Sequence, residues 1–324
     1  MKKFFSSLTK KIEEKEKIIL MTHKNMDLDG FSASLCLFNI ISKMNKECFI
    51  YLGEKQNNDC IIKTIKKLKK ENYEYNVLSK KELDDFSFDN TLLIIVDVNK
   101  NHLLENNDLL NKVDEVIVID HHIQDIDYIH NTIFSYVNAS MSSVAEIMVE
   151  YCKYLKFEPD TILATILLCA ITIDTNYFNF KTTANTYESA AYLTKCGAST
   201  IIKQELLRES KDIYIERQIY IEHSYQISDD IIFCVIDDKI VPSSYLAIVA
   251  DNILNFEGIE ASFCIGKIED NTVGISARSI GNIDVQKIMK KLGGGGHITD
   301  AATKIEDAEI DECIDKLTKI IKEG

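Results

Sequence analysis

The alternation of apolar, strand-length runs with helical patterns in the first half of the chain is the feature that most restricts its fold. Four runs rich in Ile, Leu and Val are separated by segments with helical spacing of apolar residues, such as residues 30–44. The four runs cover residues 17–22, 47–52, 91–98 and 115–120. Strands that are apolar throughout are buried on both faces, and helices between them connect the strands in parallel. The sequence therefore predicts an α/β fold with a parallel sheet and flanking helices.

The second half of the chain has a different pattern. After a helical block, a long charged segment around residues 199–226 is predicted to form a helix, and a strand, a helix, a hairpin and a final amphipathic helix follow. At roughly 150 residues per domain, 324 residues correspond to two domains. We predict a first domain over residues 1–195, a linker helix over 196–228 and a smaller α+β domain over 229–324.

The charge balance restricts the partners. Lys and Arg total 37 against 51 Asp and Glu, which gives a net charge of −14. A protein that grips long nucleic acid needs many basic side chains to neutralise phosphates, so that class is excluded. Small anionic ligands remain compatible if metal ions or a local basic pocket supply positive charge.

Cysteine spacing and hydropathy indicate the compartment. The nine Cys residues are scattered without CxxC spacing, which excludes a zinc ribbon or a redox centre and favours a reduced protein. The N-terminus lacks the apolar core of a signal peptide. The longest notable apolar stretch, TILATILLCAITI, has 13 residues, too few to span a bilayer. We expect a soluble, cytoplasmic protein without a membrane partner.

Acidic and imidazole side chains follow the apolar elements of the first domain. Ligands of open parallel sheets bind beyond the carboxyl ends of the strands, which directs attention to these positions. The residues are His23, Asp27 and Asp29 after the first run, Asp97 in the third, Asp120, His121 and His122 at the end of the fourth, and Asp174 after the apolar segment 161–173. Each alone is also explained as a helix cap or a turn residue. The joint pattern predicts a cluster at one edge of the sheet.

Such a cluster needs cations. Four or five carboxylates in one place repel one another and cannot all stay ionised without positive charge among them. A mixture of carboxylate and imidazole suits Mn²⁺ or Fe²⁺, leaves Mg²⁺ open and excludes a thiolate-rich zinc site. The number of ligands suits two ions bridged by one carboxylate, an arrangement used for phosphoryl displacement.

A glycine run near the C-terminus is a second candidate site. Residues 293–296 are all Gly, His297 follows at once, and Arg278 ends a predicted strand. Glycine lets backbone N–H groups approach an anion closely, and Arg binds phosphate through two donors. The alternatives are a flexible linker for the glycines and a surface ion pair for Arg278.

These motifs resemble those of a known family. THKNMDLDG (22–30), IIVDVN (94–99), VIVIDHH (116–122) and ITIDT (171–175) resemble the four motifs of DHH phosphoesterases. Residues 274–302, GISARSIGNIDVQKIMKKLGGGGHITDAA, resemble the DHHA1 domain that follows in one subgroup. Within that superfamily, the second stretch is most similar to the GdpP-type cyclic-di-AMP phosphodiesterases, here without membrane or sensor segments. Gly30-Phe31 stands where relatives often have Ala-Ile.

The resemblance implies roles for individual residues. One Mn²⁺ ion would be held by His23, Asp27 and Asp97, and a second by Asp29, Asp97, His121 and Asp174. Asp120 would orient His121 from outside the ligand set, and His122 would lie near the phosphate or the leaving oxygen. The nucleotide would be held by Arg278, His297 and the glycines Gly294, Gly295 and Gly296, with Ser143 a further contact. The active site would lie in the cleft between the two domains.

The expected function follows from these roles. A metal-dependent phosphodiesterase would hydrolyse cyclic-di-AMP to linear 5′-pApA by two-metal activation of water. The alternative enzyme is a nanoRNase or pAp phosphatase that acts on short linear oligonucleotides and pApA. A catalytically silent nucleotide sensor is a third reading and would require a broken ligand set, whereas every motif ligand is present. Whether the protein forms a homodimer is left open, because the sequence shows no recognisable interface.

Overall fold

The computed structural model describes residues 1–53, 58–124 and 127–323 and divides into two compact units. The first unit is Met1–Arg208 and the second is Glu209–Gly324. The predicted fold class, a parallel-sheet α/β unit and a smaller α+β unit, is confirmed. Within the described ranges, no helix has both the length and the apolar character needed to cross a membrane.

The described strands of the first unit form one parallel sheet in the order β3-β2-β1-β4-β5-β6. The strands are β1 (Lys17–Met21), β2 (Glu47–Tyr51), β3 (Val77–Leu78), β4 (Thr91–Val96), β5 (Glu115–Asp120) and β6 (Phe134–Val137). Alternate side chains of β1 enter two separate cores, Ile18 and Leu20 one and Ile19 and Met21 the other. Burial on both faces explains why these strands are continuous apolar runs.

Helices of the first unit connect and cover the strands. They are α1 (Lys2–Glu14), α2 (Leu28–Lys43), α3 (Asp59–Lys70), α4 (Val144–Leu155), α5 (Thr161–Asp174), α6 (Ala184–Lys195) and α7 (Thr200–Leu207). Helix α5 is buried along most of its length, from Leu163 to Thr172. Side-chain caps fix the starts of the helices that carry candidate ligands or border them: Asp27 caps α2, Ser143 caps α4 and Asp160 caps α5.

The second unit contains a mixed sheet in the order β11-β12-β10-β9-β8-β7, within the described residues. Its elements are α8 (Lys211–Glu222), β7 (Tyr225–Ser228), β8 (Ile231–Ile236), α9 (Ser243–Ile253), β9 (Ala261–Glu269), β10 (Thr272–Ser279), α10 (Val285–Lys291), β11 (Gly295–Gly296), β12 (Asp300–Glu306) and α11 (Ile310–Lys322). Only the β8–β9 pair of this described sheet is parallel. Phe233, Phe263 and Ile275 pack with Met289 and Leu317 in a core of the second unit.

The structure differs from the single linker helix predicted between the domains. Helix α7 ends at Leu207, the backbone of Arg208 is extended, and α8 starts at Lys211. The Ser210 side chain accepts a hydrogen bond from the Ile213 N–H at 3.2 Å, which caps the new helix and accounts for the break. The two helices belong to different units.

Candidate metal centre

The candidate ligands lie at the carboxyl ends of β1, β4 and β5 and at the end of α5. His23 follows β1, Asp97 comes directly after β4, and His121 directly after β5. Asp174 is the last residue of α5. Asp27 and Asp29 lie at the start of α2, the helix that follows β1. The parallel order of β1, β4 and β5 brings these ends to one edge of the sheet.

His23, Asp27 and Asp97 form one group. The His23 Nε2 atom lies 3.6 Å from Asp27 Oδ2 and 3.6 Å from Asp97 Oδ2. The other oxygen of Asp27 accepts hydrogen bonds from the N–H groups of Asp29 and Gly30, at 2.9 and 3.2 Å. The cap of α2 therefore holds the Asp27 carboxylate so that its second oxygen faces His23.

Asp29, His121 and Asp174 form a second group, and Asp97 joins the two. The His121 Nε2 atom lies 3.5 Å from Asp97 Oδ1, 3.7 Å from Asp174 Oδ2 and 3.8 Å from Asp29 Oδ2. One donor atom per residue within each group lies within 4.8 Å of the others. The structure thus brings together all six side chains that the sequence predicts as ligands.

Asp29 is held by the N-terminus of α4. Its carboxylate accepts hydrogen bonds from the backbone N–H groups of Val144 and Ala145, at 2.6 and 2.7 Å. A helix N-terminus favours negative charge, so this contact fixes a buried carboxylate beside the cluster. Ser143 is fully buried, and its hydroxyl accepts a hydrogen bond from the Glu146 N–H, so its observed role is to cap α4.

Glu146 is a residue of this site that sequence reasoning missed. Its buried carboxylate accepts hydrogen bonds from the N–H and hydroxyl of Ser142, from Asn185 and from Thr186. It therefore joins the turn that precedes α4 to the start of α6. Ser143 and Glu146 have the Ser-x-x-Glu spacing that indicates a helix start. That spacing does not reveal partners about 40 positions away.

The carboxylates of the cluster have strongly shifted pKa values. Burial, followed by repulsion from Asp97, raises the pKa of Asp29 to about 8. Burial and the neighbouring carboxylates also hold the pKa of Asp174 well above its ordinary value. Burial acts in the same direction on Asp97, but its contacts with His121 and His23 outweigh it and hold the Asp97 pKa well below the usual range. Carboxylates this close cannot all be ionised unless positive charge lies among them.

Buried polar atoms without a hydrogen-bond partner indicate whether these residues fit a metal ion. Both carboxylate oxygens of Asp97 are buried without a hydrogen-bond partner among the described residues, since the imidazole nitrogens stand beyond hydrogen-bonding distance. Buried polar atoms are ordinarily satisfied, and an ion is one of the groups that can satisfy them. Carboxylate oxygens with imidazole nitrogens are donors that Mn²⁺ and Fe²⁺ accept. The residues present fit divalent cations.

The backbone at Asp97 and the glycine beside it add local constraints. Asp97 has a φ of 65°, a left-handed conformation that Asp and Asn adopt more readily than most residues. A Cβ at Gly30 would lie 3.3 Å from Asp97 Oδ2 and 3.1 Å from the Thr22 methyl. The glycine at this position therefore gives the Asp97 carboxylate more room than an alanine would.

The Asp120 carboxylate contacts the ring of His122 and not the ring of His121, which differs from the contact expected if Asp120 orients His121. Asp120 Oδ1 lies 2.8 Å from His122 Nδ1 and accepts the backbone N–H groups of His121 and His122. Its other oxygen accepts the Asn99 amide at 2.5 Å. The Nδ1 atom of His121 has no partner among the described residues. His122 is half-exposed, and its ring is held beside the cluster, 3.7 Å from Asp97 Oδ1.

The residues predicted to bind the nucleotide in the second unit have partners of their own. Arg278, on β10, donates from Nε to Asp251 at 2.8 Å and from one terminal nitrogen to Ser276 and Ala277. Burial raises the pKa of Asp251, and the Arg278 charge opposes that shift. His297 donates its backbone N–H to Asp300 at 2.5 Å. Arg278 therefore forms an ion pair with Asp251, as the alternative interpretation of the sequence expected.

The last two glycines of the run form strand β11, and Gly293 and Gly294 precede it, so the run is not a flexible linker. Gly295 and Gly296 pair with Ala302 and Ala301 of β12. A Cβ at Gly294 would lie 2.2 Å from the Ala302 carbonyl oxygen, and one at Gly296 would lie 2.4 Å from Ala301 Cα. A Cβ at Gly295 would meet no atom of the described residues within 4 Å. Gly295 is therefore the member of 294–296 whose missing side chain the fold does not require.

Comparison with known proteins decides the family. The model of the DHH family, N-terminal domain, matches residues 17–171, and that of the DHHA1 domain matches residues 229–323. The chain is a DHH-family protein with a DHHA1 domain. Residues 17–171 contain five of the six clustered side chains, and Asp174 lies three positions beyond the match.

Two curated relatives of this DHH-family protein have different activities. It is 33% identical over 318 residues to the cyclic-di-AMP phosphodiesterase GdpP of Bacillus subtilis, a match that covers 96% of this chain and 48% of that protein. It is 27% identical over 322 residues to the bifunctional oligoribonuclease and PAP phosphatase NrnA of Mycoplasma genitalium, covering 94% of this chain and 95% of the relative. The chain thus spans about half the length of GdpP and nearly all of NrnA.

A solved structure shares the fold. An exopolyphosphatase-related protein from Bacteroides fragilis matches with a TM-score of 0.82 and 14% identity, covering 100% of this chain and 96% of the other. At this identity the match establishes the fold alone.

Proposed function

We propose that this chain is a metal-dependent phosphodiesterase that hydrolyses cyclic-di-AMP to linear 5′-pApA. The observation that carries the proposal is the pair of ligand groups joined by Asp97, whose buried oxygens have no partner among the described residues. The match to GdpP over 96% of this chain supports the choice of substrate. It includes the motifs of both units.

Six side chains would hold the metal ions. His23, Asp27 and Asp97 would bind one ion, and Asp29, Asp97, His121 and Asp174 the other. The mixture of oxygen and nitrogen donors suits Mn²⁺ or Fe²⁺. We take Mn²⁺ as the ion because of the resemblance to DHH phosphoesterases, with Fe²⁺ and Mg²⁺ as alternatives. When bound, such ions lower the pKa of water and neutralise charge on the phosphate oxygens.

His122 would serve as the proton donor. Asp120 accepts from Nδ1 of the ring, which leaves Nε2 to give a proton to the leaving 3′ oxygen as the bond from phosphorus to that oxygen breaks. Water supplies the oxygen of the new bond to phosphorus, so the product carries a 5′-phosphate. The negative charge of Asp120 stabilises the protonated ring in this geometry.

The second unit would hold the remainder of the substrate. Arg278 and His297 supply positive or hydrogen-bonding side chains, and Gly295 offers a backbone segment that a ligand can approach closely. Gly294 and Gly296 contribute their backbone groups in the same segment. Ser143 acts indirectly, since its hydroxyl caps the helix that holds Asp29.

A second candidate is the nanoRNase or pAp phosphatase activity. The match to NrnA covers 95% of that relative, so this chain is of comparable length. The same metal centre would serve short linear substrates, and the two candidates differ in the substrate alone.

A substrate panel tests both candidates. Purified protein would be incubated with cyclic-di-AMP, pApA, pAp and short RNA in parallel, with Mn²⁺ or with a chelator, and the products separated by chromatography. Fastest turnover of cyclic-di-AMP to pApA, lost with chelator, is expected. Faster turnover of pAp or short RNA would favour the second candidate. Turnover that survives the chelator and the Asp97→Asn substitution would overturn the metal-dependent reading.

A further inference from the structure

A cavity of about 590 Å³ lies in the first unit, between the turn at residues 139–140 and the segment 178–187. Its volume is within the range of small-molecule sites, roughly 300–1,000 Å³. None of the residues that line it belongs to the ligand groups or to the nucleotide contacts named above.

The two chain segments that line this cavity both start near residues of the candidate metal centre. On one side, the Asn138 N–H donates to the Asp120 carbonyl at 3.0 Å, and the Asn138 side chain in turn accepts from the hydroxyl of Ser140 at 2.8 Å. On the other side, the chain leaves Asp174 and folds back so that the Asn179 N–H donates to the Thr175 carbonyl at 2.9 Å. The two segments that line the cavity therefore start next to Asp120 and Asp174.

An aromatic pair forms one wall. The rings of Phe178 and Tyr187 are nearly parallel, with centroids 5.6 Å apart and planes at 15°. Tyr187 is nevertheless 58% exposed, so part of its ring surface is open to a planar ligand. Stacking of a nucleobase on an aromatic side chain contributes about 1–3 kcal/mol and needs no particular base.

A cation lines the same cavity. Lys181 is a lining residue, and no carboxylate lies within ion-pair distance of it in the described ranges. In a chain with a net charge of −14, a lysine without such a carboxylate partner is suited to an anionic ligand. An aromatic surface together with a cation matches a base joined to a phosphate.

The backbone of this segment is held in an unfavourable conformation. Asn176, Tyr177, Phe178 and Lys181 all have positive φ angles, between 43° and 67°. Left-handed conformations cost free energy for residues other than glycine, and they concentrate at binding and catalytic sites. The segment therefore has a conformation that its own local preferences do not explain.

We propose that this cavity binds one nucleoside monophosphate moiety of the substrate, with the base stacked on Tyr187 and the phosphate near Lys181. The substrate class is taken from the proposed function, on which this inference rests. The site would give the first unit its own contact with a base, separate from the contacts assigned to Arg278 and the glycine run.

Replacement of the Tyr187 ring tests the stacking contact. Tyr187→Leu removes the aromatic surface, and Tyr187→Phe is the matched control that keeps it. With the Mn²⁺-loaded protein and cyclic-di-AMP, we expect Tyr187→Leu to raise KM at least about 5-fold, since 1 kcal/mol of stacking is lost, with kcat and metal content unchanged. Tyr187→Phe should stay within about twofold of the parent protein. An unchanged KM for Tyr187→Leu would overturn the proposal.

A binding measurement separates this inference from the proposed function. Adenosine and AMP would be titrated calorimetrically into the full chain with EDTA present, so that neither metal nor turnover contributes. We expect Tyr187→Leu to weaken both ligands, and Lys181→Gln to weaken AMP while sparing adenosine. If the parent protein hydrolyses no dinucleotide yet shows this pattern, the proposed function fails and the cavity stands as a nucleotide site. If neither substitution changes AMP affinity, the cavity proposal fails whatever the hydrolysis results.

Discussion

Asp97 is the residue on which both groups of candidate ligands depend. Its two carboxylate oxygens face different imidazoles, Oδ2 toward His23 and Oδ1 toward His121. Its left-handed backbone, directly after β4, turns the chain at the carboxyl edge of the sheet. A carboxylate between two sets of donors is the geometry expected of a bridge between two ions.

The Asp97→Asn substitution tests that bridge. Asn tolerates the left-handed backbone, so the fold should persist, while loss of the charge removes the shared ligand. We expect hydrolysis of cyclic-di-AMP to fall more than about 100-fold, beyond the effect of changing residues that only support a ligand. Metal content by mass spectrometry should fall with it. Asp114→Asn, at an exposed position before β5, is the control that should change neither. If the Asp97→Asn variant keeps the full turnover of the parent protein, the proposal that Asp97 bridges two ions is wrong.

The Asp120→Asn substitution separates the two roles considered for Asp120. Because its side chain bonds the His122 ring and not the His121 ring, we expect kcat to fall about 10–100-fold with KM and metal content retained. Steady-state kinetics on protein of measured Mn²⁺ content would decide the matter. If the variant loses metal but each metal-loaded molecule keeps a normal kcat, the result would instead support the role predicted from the sequence, in which Asp120 orients His121.

The sequence predicted that the six candidate ligands would cluster, because each stands at or near the end of a strand or helix that the sequence pattern reveals. His23, Asp97 and His121 all come within two residues of a buried strand. What the sequence could not decide is which of two consecutive histidine rings Asp120 contacts, since that depends on local backbone direction. The partners of Glu146 could not be predicted either, because they come from the turn before α4 and from the start of α6.

At the scale of elements, the glycine run combines a packing requirement with a candidate contact. Gly294 and Gly296 allow close approach to β12, whereas a Cβ at Gly295 would have no atom within 4 Å in the part of the chain that the structure describes. Gly294 and Gly295 therefore offer a matched pair of substitutions at adjacent positions, at the start of β11.

Gly295→Ala and Gly294→Ala should behave oppositely. Gly295→Ala should leave stability unchanged or raise it by up to about 1 kcal/mol, because it restricts the unfolded chain, and should raise KM for cyclic-di-AMP. Gly294→Ala should cost about 1–3 kcal/mol, since its Cβ would overlap the backbone of β12. Urea unfolding gives the stabilities, and initial rates give KM. If Gly295→Ala keeps the parent KM, the glycine run has a purely structural role.

Helices and strands could be predicted where a single pattern of apolar residues dominated the segment. Strands β4 and β5 are continuous apolar runs, and the amphipathic α11 closes the chain as expected. Strand β12 was missed because DAATKIE is rich in small and charged residues, and only alternate residues such as Ala301 and Thr303 are buried. The break between α7 and α8 was missed because Ser210 within a charged segment is a weak signal until its hydrogen bond to the Ile213 N–H is known.

At the scale of the whole molecule, the two units have separate cores, and all six candidate ligands belong to the first. The apolar clusters around the parallel sheet contain residues of the first unit only, and the cluster around Phe233 and Phe263 contains residues of the second. Binding of metal to the native state stabilises the part of the chain whose unfolding would destroy the site. Metal should therefore act unequally on the two units.

Hydrogen exchange of the whole chain with Mn²⁺ or with EDTA measures this inequality. At a free Mn²⁺ concentration about 100 times its Kd, stabilisation of roughly 2.7 kcal/mol is expected, equivalent to about 100-fold slower exchange of amides that open by unfolding of the site. Peptides from β1, β4, β5 and α5 should show the slowing, while peptides from β8, β9 and β10 should exchange at the same rate in both conditions. In Asp97→Asn the slowing should disappear from the first unit. Equal protection of β9 and β4 by Mn²⁺ would show that the metal acts elsewhere, because ligands confined to the first unit cannot directly stabilise a separate core.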